Sequence, residues 1–323
     1  MDPLRIVAIG GGTGLSTLLR GLKPYATGQR EIEITAVVTV TDDGGSSGRL
    51  RRDFDILAPG DIRNCMVALS EDEALLSKLF QYRFSEGRGL KGHSFGNLFV
   101  TALTNITGDF PAAVRVSSEI LASVGRIYPA SADKAILEAE LANGRIVSGE
   151  TKISKSRSRI ERIRLSPGPC EPLPETLDAI SKADLITLGP GSLFTSIIPN
   201  LLVEGIPEAI ANSRARKAYF VNLMWQPGET MGFGASDHVA AIQQHAGRQL
   251  LDVVIVNTGS ISPAQLEKYA AQKARPVVND IGQLAAMGVE VVGADLLSDT
   301  LSVRHNPAVT GEIAMQLVRR TQK

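Results

Sequence analysis

Hydrophobic positions along the chain follow two spacings, one typical of buried strands and one typical of amphipathic helices. The apolar run 6–9 is rich in β-branched residues, which favours a buried parallel strand. Leucines at helical spacing follow this run: Leu15, Leu18, Leu19 and Leu22. We expect Thr13 to be the N-cap of this first helix, and we expect the step from Lys23 to Pro24 to end it.

The order of strand, loop and helix recurs along the chain. Further strands are predicted at 34–40, 183–188, 217–223, 251–257, 276–278 and 289–292. Strands that alternate with helices predict an α/β fold with a mainly parallel sheet. Residues 126–166 differ, because alternating positions around Asn143 and Gly144 are typical of a β hairpin. We therefore expect one domain over 1–323 that carries a small antiparallel β insertion at 126–166.

Two glycine-rich loops follow predicted strands and precede helices. Glycine leaves no Cβ between backbone N–H groups and a ligand, and a helix N-terminus adds about half a positive charge at the same place. Parallel strands would bring both loops to one edge of the sheet. The alternative is a pair of tight turns without a ligand, because the first loop matches neither the Walker pattern nor Gly-x-Gly-x-x-Gly. The candidate binding residues are Gly11, Gly12, Thr13, Gly14, Gly189, Gly191 and Ser192.

Two adjacent carboxylates, Asp42 and Asp43, follow the second predicted strand. A carboxylate at this position meets a ribose in Rossmann-like proteins, and two carboxylates also suit a divalent cation that bridges phosphate oxygens. We expect the segment from 41 to 49 to be a loop with a glycine-serine turn. The alternative is an exposed loop in which the aspartates only stabilise the turn.

Two further loops lead into helices and offer polar groups to a ligand. The candidate residues are Asp61, Arg63 and Asn64 in the first, and His93, Ser94 and Asn97 in the second. For Asp61 the alternative is a helix N-cap, and for His93 it is a structural hydrogen bond. Near the C-terminal end, Tyr269 and Arg304 are polar residues that can reach a ligand, unless they are ordinary surface residues.

Composition narrows the function classes. The 34 basic residues are balanced by 34 acidic ones, so we expect no nucleic-acid partner and no membrane surface partner. Basic positions between 152 and 164 lack interleaved aromatic residues, which favours an oligomer surface over RNA binding, and we expect a homo-oligomer. Two cysteines without metal-ligand spacing, and no apolar run of about 18 residues, favour a cytoplasmic protein.

Several motifs in this order resemble the YvcK branch of the CofD-like family, the gluconeogenesis factors. The matching segments are 10–16, 42–49, 59–64, 92–97, 189–192 and 226–230. The resemblance implies a Rossmann-like three-layer α/β/α fold with the ligand at the carboxyl ends of the strands. CofD itself is a magnesium-dependent transferase that moves a phospholactyl group from a nucleotide donor onto a deazaflavin. The YvcK branch is instead associated with UDP-sugar binding, cell-envelope precursor supply and cell shape.

The resemblance therefore implies a regulatory protein that binds a UDP-sugar such as UDP-N-acetylglucosamine. It implies a protein partner in envelope precursor synthesis and a requirement for normal cell shape on gluconeogenic carbon sources. Tyr269 and Arg304 are then expected contacts of the UDP-sugar. The alternative is a CofD-like transferase, with Asp61 beside the transferred group and magnesium at Asp42 and Asp43. NAD is a further candidate ligand, although no hydride-transfer partner is recognisable.

Overall fold

The computed structural model describes residues 2–28, 31–71, 73–156 and 158–321. Its larger sheet has seven strands in the order β10-β9-β8-β7-β1-β2-β3, and all neighbouring strands are parallel. A smaller antiparallel sheet has the order β5-β4-β6. The strands are β1 (Leu4–Gly10), β2 (Ile32–Val38), β3 (Arg126–Pro129), β4 (Ile136–Leu141), β5 (Ile146–Ser148), β6 (Ile160–Ser166), β7 (Leu185–Leu188), β8 (Arg216–Phe220), β9 (Val253–Asn257) and β10 (Glu290–Ala294).

Helices separate the strands of the larger sheet. They are α1 (Gly12–Thr27), α2 (Gly45–Phe54), α3 (Pro59–Leu69), α4 (Glu73–Gln81), α5 (Phe95–Thr107), α6 (Phe110–Ile120), α7 (Glu150–Ile153), α8 (Pro174–Ser181), α9 (Ile198–Leu201), α10 (Ile206–Asn212), α11 (Ala235–Ala246), α12 (Pro263–Ala270), α13 (Ile281–Ala286) and α14 (Pro307–Arg320). A π-helical turn, Leu193–Ile197, leads directly into α9.

Two hydrophobic cores lie on opposite faces of the larger sheet. In β1, Ile6 and Ala8 belong to one core and Val7 and Ile9 to the other, because successive side chains of a strand point to opposite faces. Helices α1, α3 and α14 pack in the first core. The smaller sheet and α11 contribute to the second. This is the predicted three-layer α/β/α arrangement with a small antiparallel sheet added.

The order of the strands places β1 beside both β2 and β7. From β1 the chain builds β2 and β3 on one side, and it later returns to build β7, β8, β9 and β10 on the other side. Such a reversal leaves a crevice at the carboxyl ends of the two central strands, where ligands bind in open α/β sheets. The predicted glycine loops follow these two strands, β1 and β7.

Several predicted boundaries differ from the structure. Gly11, not Thr13, precedes α1, so Thr13 lies within the first helical turn. Pro24 does not end this helix, because the backbone N–H of Gly28 reaches the Pro24 carbonyl at 3.2 Å and closes one more turn. The predicted strand 276–278 forms only isolated bridges. The glycine-serine turn after Asp43 is the start of helix α2.

The predicted hairpin insertion also starts at a different place. Residues 126–129 form β3 and pair with β2 in the larger sheet, so the antiparallel part begins with β4. The Asn143-Gly144 pair connects β4 and β5 as predicted, and β6 adds a third strand to them. Arg157 of the basic segment lies outside the described residues.

Within the described ranges, no single helix is long and apolar enough to cross a membrane. Only two consecutive segments taken together would be long and apolar enough, Leu193–Leu201 and Ile206–Asn212. A bend of 76° separates them. Most of their hydrophobic side chains are buried in the second core.

Candidate nucleotide-binding cleft

A cleft of about 640 Å³ lies beside the loops that follow β1, β7 and β8. Its size falls in the range of about 300–1,000 Å³ that is usual for cofactor and small-molecule sites. Several residues predicted from the sequence line it: Gly11, Gly12, Thr13, Gly14, Gly191, Ser192, Tyr269 and Arg304. The structure thus brings both glycine loops together with two residues from the last fifth of the chain.

The two glycine loops touch each other, and this contact explains their composition. A Cβ on Gly14 would lie 2.3 Å from the carbonyl oxygen of Pro190. A Cβ on Gly11 would lie 2.6 Å from a carboxylate oxygen of Asp61. Gly12 has a φ of +63°, which side chains with a Cβ rarely adopt. A larger residue at position 14 would therefore force the two loops apart, and one at position 11 would displace Asp61 or Thr39.

Gly189 connects the start of the second glycine loop to β1. It donates its backbone N–H to the carbonyl of Ile9 at 2.9 Å, and its φ is +73°. The side chain of Asn200 ties the same region to the first loop, because it donates to the Gly10 carbonyl at 3.3 Å. Gly189 does not line the cleft. Its position in the turn needs a residue that tolerates positive φ, and its expected ligand contact stays a prediction.

Asp61 lies in the first turn of α3 and faces the start of α1. Its carboxylate accepts a hydrogen bond from the backbone N–H of Gly12. Burial, followed by the charge of Asp42, raises the pKa of Asp61 to about 7. The carboxyl group therefore occupies one of the donors that were expected to bind an anion, and it can gain or lose a proton near neutral pH.

Other carboxylates lie close to Asp61. Glu150 lines the cleft, and burial together with the charges of Asp42 and Asp61 raises its pKa to about 9. Asp42 accepts a hydrogen bond from the backbone N–H of Gly44 at 2.8 Å. Arg51 is a nearby cation. Burial lowers the pKa of its guanidinium, whereas the charges of Asp43, Asp42 and Glu150 raise it.

Asp43 is held by groups of the protein. Its carboxylate accepts hydrogen bonds from the backbone N–H and the hydroxyl of Thr151, at 2.8 and 2.7 Å. Among the residues that the structure describes, no group of three or more His, Cys, Asp or Glu side chains is placed to hold a metal ion. A pair of carboxylates completed by phosphate oxygens and water is a different kind of site, so magnesium at Asp42 and Asp43 stays a prediction.

A chain of hydrogen bonds links the second glycine loop to the loop after β8. Gln226 donates to the hydroxyl of Ser192 at 2.7 Å and accepts from the amide of Asn222 at 2.7 Å. The Oδ1 atom of Asn222 is buried and has no partner. Both Asn222 and Gln226 line the cleft. Because a buried oxygen without a partner is costly, Asn222 is suited to accept a hydrogen bond from a ligand.

Glu229 presents a second oxygen of this kind. Its Oε1 atom accepts from the hydroxyls of Ser154 and Thr195 at 3.1 and 3.3 Å, whereas Oε2 is buried without a partner. Burial raises the pKa of this carboxyl group. Trp225 is fixed beside it, because its indole N–H donates to the carbonyl of Phe233 at 2.9 Å. The residues of this group that line the cleft are Glu229, Ser154, Thr195 and Trp225.

Tyr269 and Arg304 also line the cleft. The hydroxyl of Tyr269 accepts a hydrogen bond from the backbone N–H of Val303 at 3.1 Å, and its ring packs against the first core. This bond fixes the segment that carries the exposed guanidinium of Arg304. Burial lowers the pKa of the adjacent His305 to about 4, so its imidazole is neutral at neutral pH.

The other predicted residues lie outside the lining of this cleft: Gly189, Asp42, Asp43, Asp61, Arg63, Asn64, His93, Ser94 and Asn97. Arg63 and Asn64 line a separate cavity. His93, Ser94 and Asn97 are buried, with exposed fractions of 5% or less. His93 Nδ1 is 3.0 Å from the Ser46 hydroxyl, and the Ser94 hydroxyl accepts from Arg63 at 2.7 Å. His93 and Ser94 thus have partners within the protein, as the structural alternative for His93 expects, whereas Asn97 Oδ1 is buried without one. Ligand contacts of these residues stay a prediction.

Several lining residues were missed as candidate site residues: Glu150, Ser154, Asn222, Gln226 and Glu229. Gln226 and Glu229 belong to a motif that carried the family resemblance, so a signal for them was present. Glu150 and Ser154 follow the antiparallel β4–β5 hairpin, and no local pattern places that segment beside the glycine loops.

The family model described as "2-phospho-L-lactate transferase CofD" matches residues 6–297. The chain belongs to the CofD family. It is 48% identical to the gluconeogenesis factor of Bacillus subtilis over 316 residues, which cover 98% of both chains. It is also 48% identical to the gluconeogenesis factor of Halalkalibacterium halodurans over 322 residues, which cover 99% of this chain and 98% of the relative.

A solved structure agrees with this membership. A crystal structure of a UPF0052 family protein from Bacillus halodurans matches with a TM-score of 0.93 and 48% identity, and covers 98% of this chain and 99% of that one. The predicted membership in the gluconeogenesis factor branch of the CofD family is therefore confirmed, and so is the predicted fold class.

Proposed function

We propose that this CofD-family protein binds a nucleotide-sugar in the cleft and acts as a regulator, not as a catalyst. The proposal rests on one observation: the two glycine loops, Tyr269 and Arg304 line the same cleft. A phosphate binder needs only the loops, whereas a nucleotide-sugar also needs a second wall for its base and sugar. Tyr269 supplies an aromatic face and Arg304 a cationic fork suited to a pyrophosphate or a carbonyl group.

The polar atoms of the cleft match the parts of such a ligand. Backbone N–H groups of the glycine loops suit the pyrophosphate. The partnerless oxygens of Asn222 and Glu229 suit donors, and sugar hydroxyls and the uracil N–H are donors. UDP-N-acetylglucosamine carries all of these groups, and UDP-sugar binding is what the resemblance to the YvcK branch implies.

The cellular role is what the resemblance to the YvcK branch implies, and it is part of this proposal. Several proteins of similar length and about half-identical sequence carry the name gluconeogenesis factor. We propose that the ligand-bound protein acts in the cytoplasm, as a homo-oligomer, through a protein partner in envelope precursor synthesis. It would thereby support envelope supply and cell shape on gluconeogenic carbon sources.

A second candidate function is a transferase of the CofD kind. The observation in its favour is the Asp61 carboxyl group, which lies beside the first glycine loop and has a pKa of about 7. A group with this pKa can exchange a proton with a reacting hydroxyl at neutral pH. Asp61 would be the catalytic residue in that case.

Calorimetry with a ligand panel tests the first function. UDP-N-acetylglucosamine, UDP-glucose, NAD and GDP are titrated with and without magnesium, into the parent protein and Arg304→Ala. We expect saturable binding of the UDP-sugars, weakened at least about tenfold by loss of the guanidinium. Binding of GDP and not of the UDP-sugars would favour the transferase instead, if the protein also transfers a phospholactyl group from an added guanosine donor to an added deazaflavin, with release of the nucleotide, and Asp61→Asn loses this transfer.

A further inference from the structure

One part of the cleft lining is rich in side-chain oxygen atoms. Glu229 lies in the loop after β8, and its Oε1 atom accepts hydrogen bonds from the hydroxyls of Ser154 and Thr195. Burial is the main reason why the pKa of Glu150 is raised, and the charge of Glu229 adds to the effect, so these two carboxyl groups lie close enough to interact. All four residues line the cleft.

Close packing fixes the position of Glu229. Gly228 has a φ of +84°, and a Cβ there would lie 2.2 Å from the carbonyl oxygen of Ser154. The segment after α7 therefore packs directly on the loop after β8. From the side of the second glycine loop, the backbone N–H of Phe194 also donates to the Glu229 carboxyl group. The side chain is thus held in one orientation before any ligand arrives.

The second carboxyl oxygen of Glu229 has no partner in the protein. Glu229 is only 6% exposed, and Oε2 is buried without a hydrogen bond among the described residues. Burial raises the pKa of this carboxyl group, which favours its neutral form. A charged carboxylate needs a donor, whereas a neutral carboxyl group also needs an acceptor. A hydroxyl group serves both forms, whereas a phosphate oxygen only accepts and the uracil N–H only donates.

Trp225, in the same loop, adds an apolar surface to these oxygen atoms. It lines the cleft, and its indole N–H is already bonded to the carbonyl of Phe233. Its ring therefore offers a ligand an aromatic face and no further donor. A pyranose carries hydroxyl groups around its edge and C–H groups on its faces, so it matches a lining that combines carboxyl oxygens with an aromatic ring.

We propose that Glu229 is a specificity-determining residue that recognises a hydroxyl group of the sugar, while Trp225 contacts the face of the sugar ring. The inference rests on the proposed nucleotide-sugar function and extends it, because it assigns the sugar, and neither the base nor the pyrophosphate, to this part of the cleft. A nucleoside diphosphate without a sugar then gains nothing from Glu229.

Glu229→Gln tests this assignment, because the amide keeps the size of the side chain and its oxygen can still accept from Ser154 and Thr195. UDP and UDP-glucose are titrated by calorimetry into the parent and the variant. We expect the parent to bind UDP-glucose more tightly than UDP. The variant should bind UDP-glucose about fivefold more weakly and UDP as the parent does. Glu161→Gln is the matched control, since Glu161 is exposed on β6 and does not line the cleft.

Ser154→Ala is a second variant, because Glu229 is buried and its replacement can impair folding. It removes one of the hydroxyls that hold Oε1. We expect about threefold weaker binding of UDP-glucose and unchanged binding of UDP, with melting temperatures of the free proteins as the check on folding.

Three results would overturn the inference and leave the proposed function standing. They are equal affinity of the parent for UDP and UDP-glucose, equal weakening of both ligands in the variants, and unchanged affinity for both ligands in both variants. Absence of any UDP-sugar binding by the parent would instead contradict the proposed function, and this inference with it.

Discussion

Gly14 shows how a single residue sets the width of the cleft. Because a Cβ at this position would lie 2.3 Å from the Pro190 carbonyl oxygen, Gly14→Ala must move one glycine loop away from the other. We expect a loss of about 1–3 kcal/mol in the free energy of unfolding and a loss of ligand affinity. Gly282→Ala is the control, because a Cβ at Gly282 meets no atom within 4 Å. Equal denaturation midpoints for both variants would contradict the contact.

Tyr269 has a structural role in addition to any contact with a ligand. In Tyr269→Phe the buried N–H of Val303 loses its acceptor while the aromatic ring is kept. We expect unfolding to become easier by about 1–3 kcal/mol, and UDP-sugar binding to weaken because Arg304 is less well positioned. Tyr82→Phe is the control, since Tyr82 is exposed. Unchanged stability in Tyr269→Phe would show that this hydrogen bond is unimportant.

At the residue scale, the sequence predicts sites where one residue type has a strong local meaning. Glycines between a strand and a helix indicated the two loops, and the structure places most of them in the cleft. The same pattern gave no information about the direction of side chains. His93 and Asn97 therefore resembled ligand contacts, although the packing of α5 against α2 buries both of them.

Helix α3 presents Asp61 to the N-terminus of α1, and this arrangement makes stability depend on pH. The folded-state pKa of about 7 lies above the usual value of 3.8, so the folded protein holds a proton that the unfolded chain releases. The stabilising contribution is complete below about pH 4 and is lost as the pH rises to about 7. In Asp61→Asn no proton is released, and the amide oxygen can still accept from Gly12.

We therefore expect Asp61→Asn to gain thermal stability relative to the parent when the pH is raised from about 5 to about 8. Melting temperatures at a series of pH values measure this difference. Asp299→Asn serves as the control, because Asp299 is exposed. A difference between Asp61→Asn and the parent that stays constant with pH would mean that Asp61 is not a buried acid with a raised pKa.

At the element scale, the type of most strands and helices could be predicted, whereas their ends could not. Strands β1 and β2 are buried on both faces and are apolar almost throughout, so their pattern is clear. The start of α2 was missed because Gly45, Ser46 and Ser47 are typical turn residues, and tertiary packing makes them helical here. The edge strand β3 was assigned to the insertion because its four residues carry no signal of their parallel partner.

At the scale of the whole molecule, the cleft exists because the chain reverses the order of its strands at β1 and β7. Loops that are about 180 residues apart in sequence meet there, as Gly14 and Pro190 show. The sequence predicted this meeting, because two loops that follow parallel strands must lie at one edge of the sheet. The loop after β8 was indicated only by the family resemblance, and nothing in the sequence indicated the position of Glu150, since this depends on how the smaller sheet packs.

Hydrogen–deuterium exchange with and without UDP-N-acetylglucosamine tests the central claim most directly, because it reports on all loops of the cleft in one experiment. The account predicts that the ligand slows exchange together in segments 10–16, 189–196, 222–230 and 303–305, and leaves exposed loops such as 85–91 unchanged. Slower exchange in only one of these segments, or none at a ligand concentration that saturates calorimetric binding, would contradict a single nucleotide-sugar cleft.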